Sequence, residues 1–363
     1  MKKIISVVLI CSFLFSFLGV NAFATNKNTL TTANFEEALS EYFEMREATF
    51  TNNSRTIDYT NVVVSKNVKE DNDNRKEQIV SKMQNIDKIF AIEVQTTPYV
   101  LEQSVKSNGN IEATVYEWTW IEYNSTGTGY ATDELGYATI HEMLFVPTSN
   151  GYKIERDTYF EGNTTGAISS DYEPEIVEEE EIIFDISFAE GNANVSRSYS
   201  PSAAANYADR WVTDINASNY DELYSVPRKY NTAVYGYIPR NDCANYVSQC
   251  LYAGGLEETD DWYFERPIGE NESTENCCPI TWISTGNLAG YLLAQGYGSV
   301  VATNNNVKMG NPVYVSGHIV ICVGESSDGT PIINGHTNDM YHCPWTWVSS
   351  DGEGTNARTI RIT

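Results

Sequence analysis

The fold is decided by the stretch Asn241-Asp242-Cys243-Ala244-Asn245-Tyr246-Val247-Ser248-Gln249-Cys250-Leu251-Tyr252-Ala253-Gly254-Gly255. Counted from Cys243, its apolar residues recur at helical spacing, which predicts a buried helix with this cysteine in the first turn. Asn241 or Asp242 can cap the helix start, and the final glycine pair predicts its end. The free amides and the dipole at a helix N-terminus stabilise a thiolate. Cys243 is therefore a candidate nucleophile, with a buried structural cysteine as the alternative.

A candidate general base opens a later apolar segment. His318 follows Gly317 and begins a continuous apolar run that is typical of a strand buried on both faces. A histidine in that position can be a purely structural residue. Downstream of a cysteine that begins a helix, it indicates a nucleophile paired with a general base.

The group that orients His318 is expected on the strand that returns after the turn at residues 326–329. With a longer loop, His318 would stand opposite His336, and with a tight turn it would stand opposite Asp339. We predict that His336 is the third catalytic residue. The alternatives are Asn334, Asn338 and Asp339.

The stretch around Cys243 resembles the signature of the putative amidase domain family, a group of bacterial papain-like proteins related to CHAP amidohydrolases and other cell-wall cysteine peptidases. The segments Ala203–Trp211 and Thr281–Ile283 also fit that pattern. Ala244 and Tyr246 depart from the usual residues, but neither is the predicted nucleophile. The resemblance runs from about residue 200 to the C-terminus.

This resemblance implies a papain-like domain that hydrolyses an amide bond without a cofactor. In that mechanism the Cys243 thiolate attacks a carbonyl carbon and His318 handles the proton. Asp242 and Trp282 are the predicted substrate-binding residues, Asp242 by contact with a substrate amine. The expected substrate is a peptide or a peptidoglycan-type molecule. The rival functions are a transglutaminase-like transamidase and a catalytically inactive surface-binding protein.

The chain divides into segments of different character, and the overall fold class is predicted as α+β. Residues 1–24 have a basic start, an apolar core and a small-residue cleavage pattern, which predicts a signal peptide and a secreted, possibly cell-wall-associated protein. Residues 25–162 are predicted as an α+β domain of unknown function, and residues 163–199 as an acidic linker. Residues 200–363 form the predicted amidase domain.

Within residues 25–162, helices are predicted before an antiparallel meander. The first helix carries an apolar stripe that includes Phe35, Leu39 and Phe43. A second helix is expected at about residues 73–86. The predicted strands are 89–94, 113–123, 137–146 and 152–159, the last two joined by a turn at Asn150-Gly151.

The charge, the apolar segments and the cysteines of the sequence indicate which kinds of partner and binding site to expect. The formal net charge of −26 disfavours nucleic acid as a partner, because phosphate binding needs concentrated Lys and Arg. Apart from the apolar core of residues 1–24, the sequence has no long apolar stretch, so no membrane span is predicted. The histidines and cysteines lack the spacing of a zinc site, so no metal is predicted. A disulfide between Cys343 and Cys277 or Cys278 is compatible with export. The sequence leaves the oligomeric state unknown.

Overall fold

A computed structural model of the chain describes the following residues: 32–51, 58–74, 90–124, 132–160, 199–213, 229–231, 234–235, 242–265, 278–301, 307–315, 317–337, 339–348 and 357–363. The predicted signal peptide and the acidic linker except its last residue, Tyr199, lie outside the described residues, as do Asn241, Cys277 and Asn338.

The described chain combines helices with one antiparallel sheet, which confirms the predicted α+β class. The helices are α1 (Thr32–Thr51), α2 (described over residues 66–74), α3 (Pro201–Arg210), α4 (Cys243–Ala253), α5 (Ile280–Ile283) and α6 (Thr285–Ala294). The strands are β1 (Phe90–Val105), β2 (Ile111–Asn124), β3 (Thr132–Thr148), β4 (Gly151–Phe160), β5 (Gly298–Val301), β6 (Pro312–Val315), β7 (His318–Glu325), β8 (Pro331–Gly335), β9 (Met340–Pro344) and β10 (Arg358–Ile362).

The N-terminal unit is an antiparallel meander, β1 to β4, covered by α1. Phe35, Leu39 and Phe43 of α1 are buried against apolar residues of β2, β3 and β4, as the helical stripe predicts. The β3–β4 hairpin turns at Asn150-Gly151, where Gly151 has a φ of 132°. The predicted second helix lies mostly outside the described residues.

Strand β3 joins the two predicted units into one sheet. The strand order is β1-β2-β3-β9-β8-β7-β6-β10-β5, and β4 pairs with the remaining length of β3. Gly136 and Tyr137 of β3 pair with Tyr341 and Met340 of β9. A shared core cluster also contains residues from both units, such as Ile121 and Val320. The described strands β1 to β4 therefore extend the sheet that β5 to β10 form.

The helices α3 and α4 pack against β7 on one face of the sheet. Ile319 and Ile321 of β7 share a core with the buried side chains of α4, whereas Val320 and Cys322 belong to the core of the opposite face. The α3 helix begins at Pro201, and the Ser200 hydroxyl accepts a hydrogen bond from the Ala203 amide at 3.2 Å. Because β7 is buried on both faces of the sheet, its sequence is a continuous apolar run.

The β7–β8 hairpin adopts neither of the two predicted registers. Glu325 pairs with Pro331, and Ile321 pairs with Asn334 beyond a bulge between Cys322 and Gly324. The bulge adds one residue to β7. If the pairing of Ile321 with Asn334 continued toward the start of β7, His318 would be opposite Thr337, which lies beyond the end of β8. His318 therefore stands opposite neither His336 nor Asp339.

A buried charged network lies inside the N-terminal unit. Arg46 donates from Nε and Nη2 to the two carboxylate oxygens of Glu117, at 3.1 and 2.8 Å. His141 lies between Asp157 at 2.8 Å from Nδ1 and Glu117 at 3.0 Å from Nε2. Burial lowers the pKa of His141, but Asp157 and the hydrogen bonds to both carboxylates outweigh it, so the net shift is upward. Arg46 and His141 are thus paired with the carboxylates of Glu117 and Asp157, and these contacts give His141 a structural role.

Two further predictions concern membrane spans and disulfides. Within the described part of the chain, no helix is long and apolar enough to cross a membrane. Cys278 and Cys343 do not form a disulfide with each other, and the alternative partner Cys277 lies outside the described residues. The buried Cys343 thiol instead donates to the Gly136 carbonyl at 3.2 Å, across the junction of the two units.

Candidate active site

Helix α4 presents Cys243 as its first residue, as the sequence predicts. Asp242 occupies the N-cap position, and its carbonyl accepts from the Tyr246 amide at 2.9 Å. The Asp242 side chain does not cap the helix, in contrast to one of the sequence expectations. Its carboxylate turns to other partners, and nearly every residue of α4 is buried.

The Cys243 sulfur is enclosed by polar groups from three elements. Sγ lies 3.4 Å from Thr285 Oγ1 at the start of α6, and the side chain is only 6% exposed. Burial raises the pKa of the Cys243 thiol, although the hydroxyl of Thr285 and the amides of Ile319 and Ala244 act in the opposite direction. The amides at the helix N-terminus thus favour the thiolate as expected, but burial has the larger effect on the pKa, which is raised overall. Cys243 rests as a neutral thiol.

His318 lies at the start of β7, directly before Ile319. Its side chain is 4% exposed, and burial lowers the pKa of the imidazole to about 4, so the ring is neutral near pH 7. Among the described residues, His318 Nε2 has no hydrogen-bond partner. A Cβ placed on Gly335 would lie 3.8 Å from that nitrogen, which sets the ring beside the end of β8. Within the described contacts, no hydrogen bond joins His318 to Cys243.

His336 pairs with Asp242, the residue before Cys243, and within the described contacts it makes no hydrogen bond to His318. Its Nδ1 lies 2.6 Å from Asp242 Oδ2, and its Nε2 lies 2.6 Å from the Trp211 carbonyl oxygen. Both ring nitrogens therefore face oxygen atoms. The ring also stacks on Tyr246 of α4, with centroids 3.9 Å apart. In this arrangement His336 holds the Asp242 side chain in place.

The alternatives for the third residue have partners of their own. Asn334 donates to Asp209 at 2.8 Å and accepts from the His342 amide at 2.8 Å. The Asp339 carboxylate accepts from Tyr116 at 2.8 Å. Asn338 lies outside the described residues. None of the described candidates is hydrogen-bonded to His318, so the identity of its orienting group stays a prediction.

Trp282 and Asp242, the predicted substrate-binding residues, are both buried. Trp282 is fully enclosed, packs on Trp262 with centroids 4.7 Å apart, and donates from its indole N–H to Asn245 at 2.8 Å. No face of this ring is open to a substrate, because its position is in the core beneath α4. Asp242 is 2% exposed and accepts from the Asn245 side chain at 2.8 Å. Their roles in substrate binding stay predictions.

Two residues of this site escaped the sequence reasoning. Thr285 contacts the sulfur, and its only sequence signal is a small polar residue at a helix start. Thr337 accepts from the Asp242 amide at 2.7 Å and has a φ of 59°, a conformation uncommon outside glycine. Within the described residues, no group of three or more His, Cys, Asp or Glu side chains is arranged to hold a metal ion.

The comparisons with known proteins include a solved structure. The chain is similar to the intermembrane space region of the chloroplast protein ARC6, at 15% sequence identity, over 37% of this chain and 98% of that chain. The TM-score of 0.22 is too low for this likeness to carry an argument about the fold. No curated protein matches the chain.

The family comparison covers α3, α4 and nearly all of the strands that follow. The model of the putative amidase domain matches residues 198–361, which include Cys243, His318 and His336. The predicted boundary at residue 200 lies close to the start of this match. Residues 198–361 are therefore similar to the putative amidase domain family, and this match supports an amidase-type hydrolase.

Proposed function

We propose that this region is a cysteine amidase in which Cys243 is the nucleophile and His318 is the general base. The observation that carries the proposal is the position of the Cys243 sulfur. It lies at the N-terminus of a buried helix, where the amides of Ala244 and Ile319 and the hydroxyl of Thr285 converge on it. Such donors stabilise the thiolate that forms during attack. His318, the residue before Ile319, offers a neutral imidazole whose Nε2 has no hydrogen-bond partner among the described residues.

The proposed reaction begins from a neutral thiol and a neutral imidazole. His318 first rotates onto the sulfur, because proton transfer needs a separation of about 3 Å. It takes the thiol proton while the sulfur forms a bond to the substrate carbonyl carbon. The C–N bond then breaks, and the imidazolium gives its proton to the departing amine. Water, deprotonated by His318, hydrolyses the thioester, releases the acid and restores the thiol.

The tetrahedral intermediate carries an oxyanion that needs hydrogen-bond donors. The backbone amide of Cys243 belongs to the first turn of α4, where amides have no partner within the helix. We assign it one oxyanion contact. Stabilisation of this kind supplies much of the barrier reduction in acyl transfer.

The proposed substrate is a peptide or peptidoglycan-type amide outside the cell, which follows from the predicted signal peptide. A formal net charge of −26 disfavours polyanionic substrates and favours neutral or cationic ones. In this proposal the protein acts after export, in contact with the cell wall or the surrounding medium.

Product analysis by mass spectrometry tests this function. The mature protein is incubated with purified peptidoglycan and with a peptide library, alongside Cys243→Ala and Cys250→Ala. Cys250 is a matched control, because it is a buried thiol on the same helix. We expect products that gain one water with the wild type and with Cys250→Ala, and none with Cys243→Ala. Full activity in Cys243→Ala would refute the assignment.

The pH profile gives a second test. Because the pKa of His318 is about 4, the imidazole becomes protonated as the pH falls through that value and can no longer accept the thiol proton. We expect the wild-type rate to fall in that range. A rate that continues unchanged well below pH 4 would exclude His318 as the base.

A non-catalytic scaffold is the second candidate function. The absence of a hydrogen bond between Cys243 and His318 in the described contacts favours it, as does the burial of both side chains. Failure of Cys243 to react with iodoacetamide, mapped by peptide mass spectrometry, would support this candidate over an amidase.

A further inference from the structure

The turn between β8 and β9 holds the residue that precedes the nucleophile. His336 Nδ1 lies 2.6 Å from Asp242 Oδ2, and the Asp242 amide donates to Thr337 Oγ1 at 2.7 Å. Asp242 is thereby held through both its side chain and its backbone. Because Asp242 also begins α4, these contacts fix the first turn of the helix, where Cys243 lies.

The N-terminal unit holds the same turn from the other side. The Tyr116 hydroxyl of β2 donates to Asp339 Oδ2 at 2.8 Å, and the Ala138 amide of β3 donates to the Asp339 carbonyl at 2.8 Å. Directly beyond Asp339, Met340 pairs with Tyr137 in the β3–β9 ladder. Tyr116 is fully buried and Asp339 is 1% exposed, so water does not compete for their bond.

The segment after α3 completes this network. Thr213 Oγ1 donates to the same oxygen of Asp339 at 3.0 Å. Two residues earlier, the Trp211 carbonyl accepts from His336 Nε2 at 2.6 Å. The carboxylate of Asp339 thus joins two donors, one from each unit, in a network that reaches Asp242 through His336.

We propose that Tyr116 is a positioning residue for the Cys243 site, so that the N-terminal unit is part of the amidase centre. The inference rests on the proposed function. Tyr116 touches no reacting atom, and it acts through Asp339 on the turn that carries His336 and Thr337. Without its hydroxyl, the turn keeps only part of its anchorage, and Asp242 and the helix start are held less firmly.

The test is the pH dependence of Cys243 alkylation by iodoacetamide, measured on the full mature chain and mapped by peptide mass spectrometry. Tyr116→Phe removes only the hydroxyl. We expect its alkylation rate constant to differ from wild type by about threefold or more, the effect of losing one ordinary hydrogen bond from a linked network, together with a shifted pH profile. A merely structural contact would lower the melting temperature and leave that profile in place.

Tyr152→Phe is the matched control. Tyr152 is a buried tyrosine of β4 in the core beneath α1, away from the β8–β9 turn. Its alkylation profile should follow wild type. Thr213→Val removes the second donor to Asp339 and should change the profile in the same direction as Tyr116→Phe. The double variant should change it by less than the sum, because both hydroxyls act on one carboxylate.

The outcomes separate this inference from the proposed function. A reactive Cys243 whose profile is the same in wild type, Tyr116→Phe and Thr213→Val overturns the role of Tyr116 and leaves the amidase assignment standing. An unreactive Cys243 in the wild type overturns both. If Tyr116→Phe fails to fold, Thr213→Val decides the question through the same carboxylate.

Discussion

The charged network around Arg46 makes a strong prediction about stability. Arg46 is fully buried and donates to Glu117 at 3.1 and 2.8 Å and to Asn72 at 2.9 Å. Replacing Arg46 with methionine keeps much of the side-chain volume and leaves the buried Glu117 carboxylate with His141 as its remaining cation at 3.0 Å. Breaking a buried ion pair in this way costs about 3–5 kcal/mol. The bond to His141 places the expected loss toward the lower end.

Urea unfolding followed by tryptophan fluorescence measures this loss. Trp118 lies directly beside Glu117 on β2 and reports on this part of the sheet. Lys106→Met is the control, since Lys106 pairs with Glu112 at 2.6 Å on the surface, where both side chains are nearly half exposed. An exposed pair contributes at most about 1 kcal/mol. If Arg46→Met costs no more than Lys106→Met, the reasoning about the buried network is refuted.

Three further changes test local features. Gly136→Ala should lower the free energy of unfolding by about 1–3 kcal/mol, because its Cβ would lie 2.3 Å from Trp118. The Cβ of Gly290→Ala in α6 would meet no atom within 4 Å, so this variant should be slightly more stable than wild type. The urea midpoints of the two variants test this difference. Ser200→Ala should cost about 1 kcal/mol through loss of the α3 cap, measured by thermal unfolding. Because the pKa of His141 is higher in the folded state than in the unfolded state, the protonated side chain stabilises the fold fully below the unfolded-state pKa. This stabilisation is lost as the pH rises through the folded-state pKa. The difference in free energy of unfolding between wild type and His141→Gln should therefore shrink in alkaline buffer.

Local sequence patterns predicted the elements well. The helical spacing after Cys243 and the apolar run after His318 correspond to α4 and β7, and Asn150-Gly151 forms the predicted hairpin turn. These features depend on neighbours within a few residues, so the sequence carries their full signal. The α+β class follows from them.

Long-range features were beyond such patterns. The bulge between Cys322 and Gly324 changes the register that decides which residue faces His318, and nothing in the local sequence marks it. The bond between His336 and Asp242 joins residues 94 positions apart. Trp282 was predicted to bind substrate, but its burial depends on how α4, α5 and the segment at Trp262 pack together.

The junction between β3 and β9 has a consequence for producing the amidase region as a separate fragment. Residues 198–361 alone would carry β9 without β3, and the backbone groups at Met340 and Tyr341 that now pair with β3 would become part of a sheet edge. Apolar side chains that now pack against Leu135 would be uncovered at the same place. An apolar edge of this kind adds strands from other chains and causes aggregation. A soluble fragment would need a charged residue or a proline at that edge.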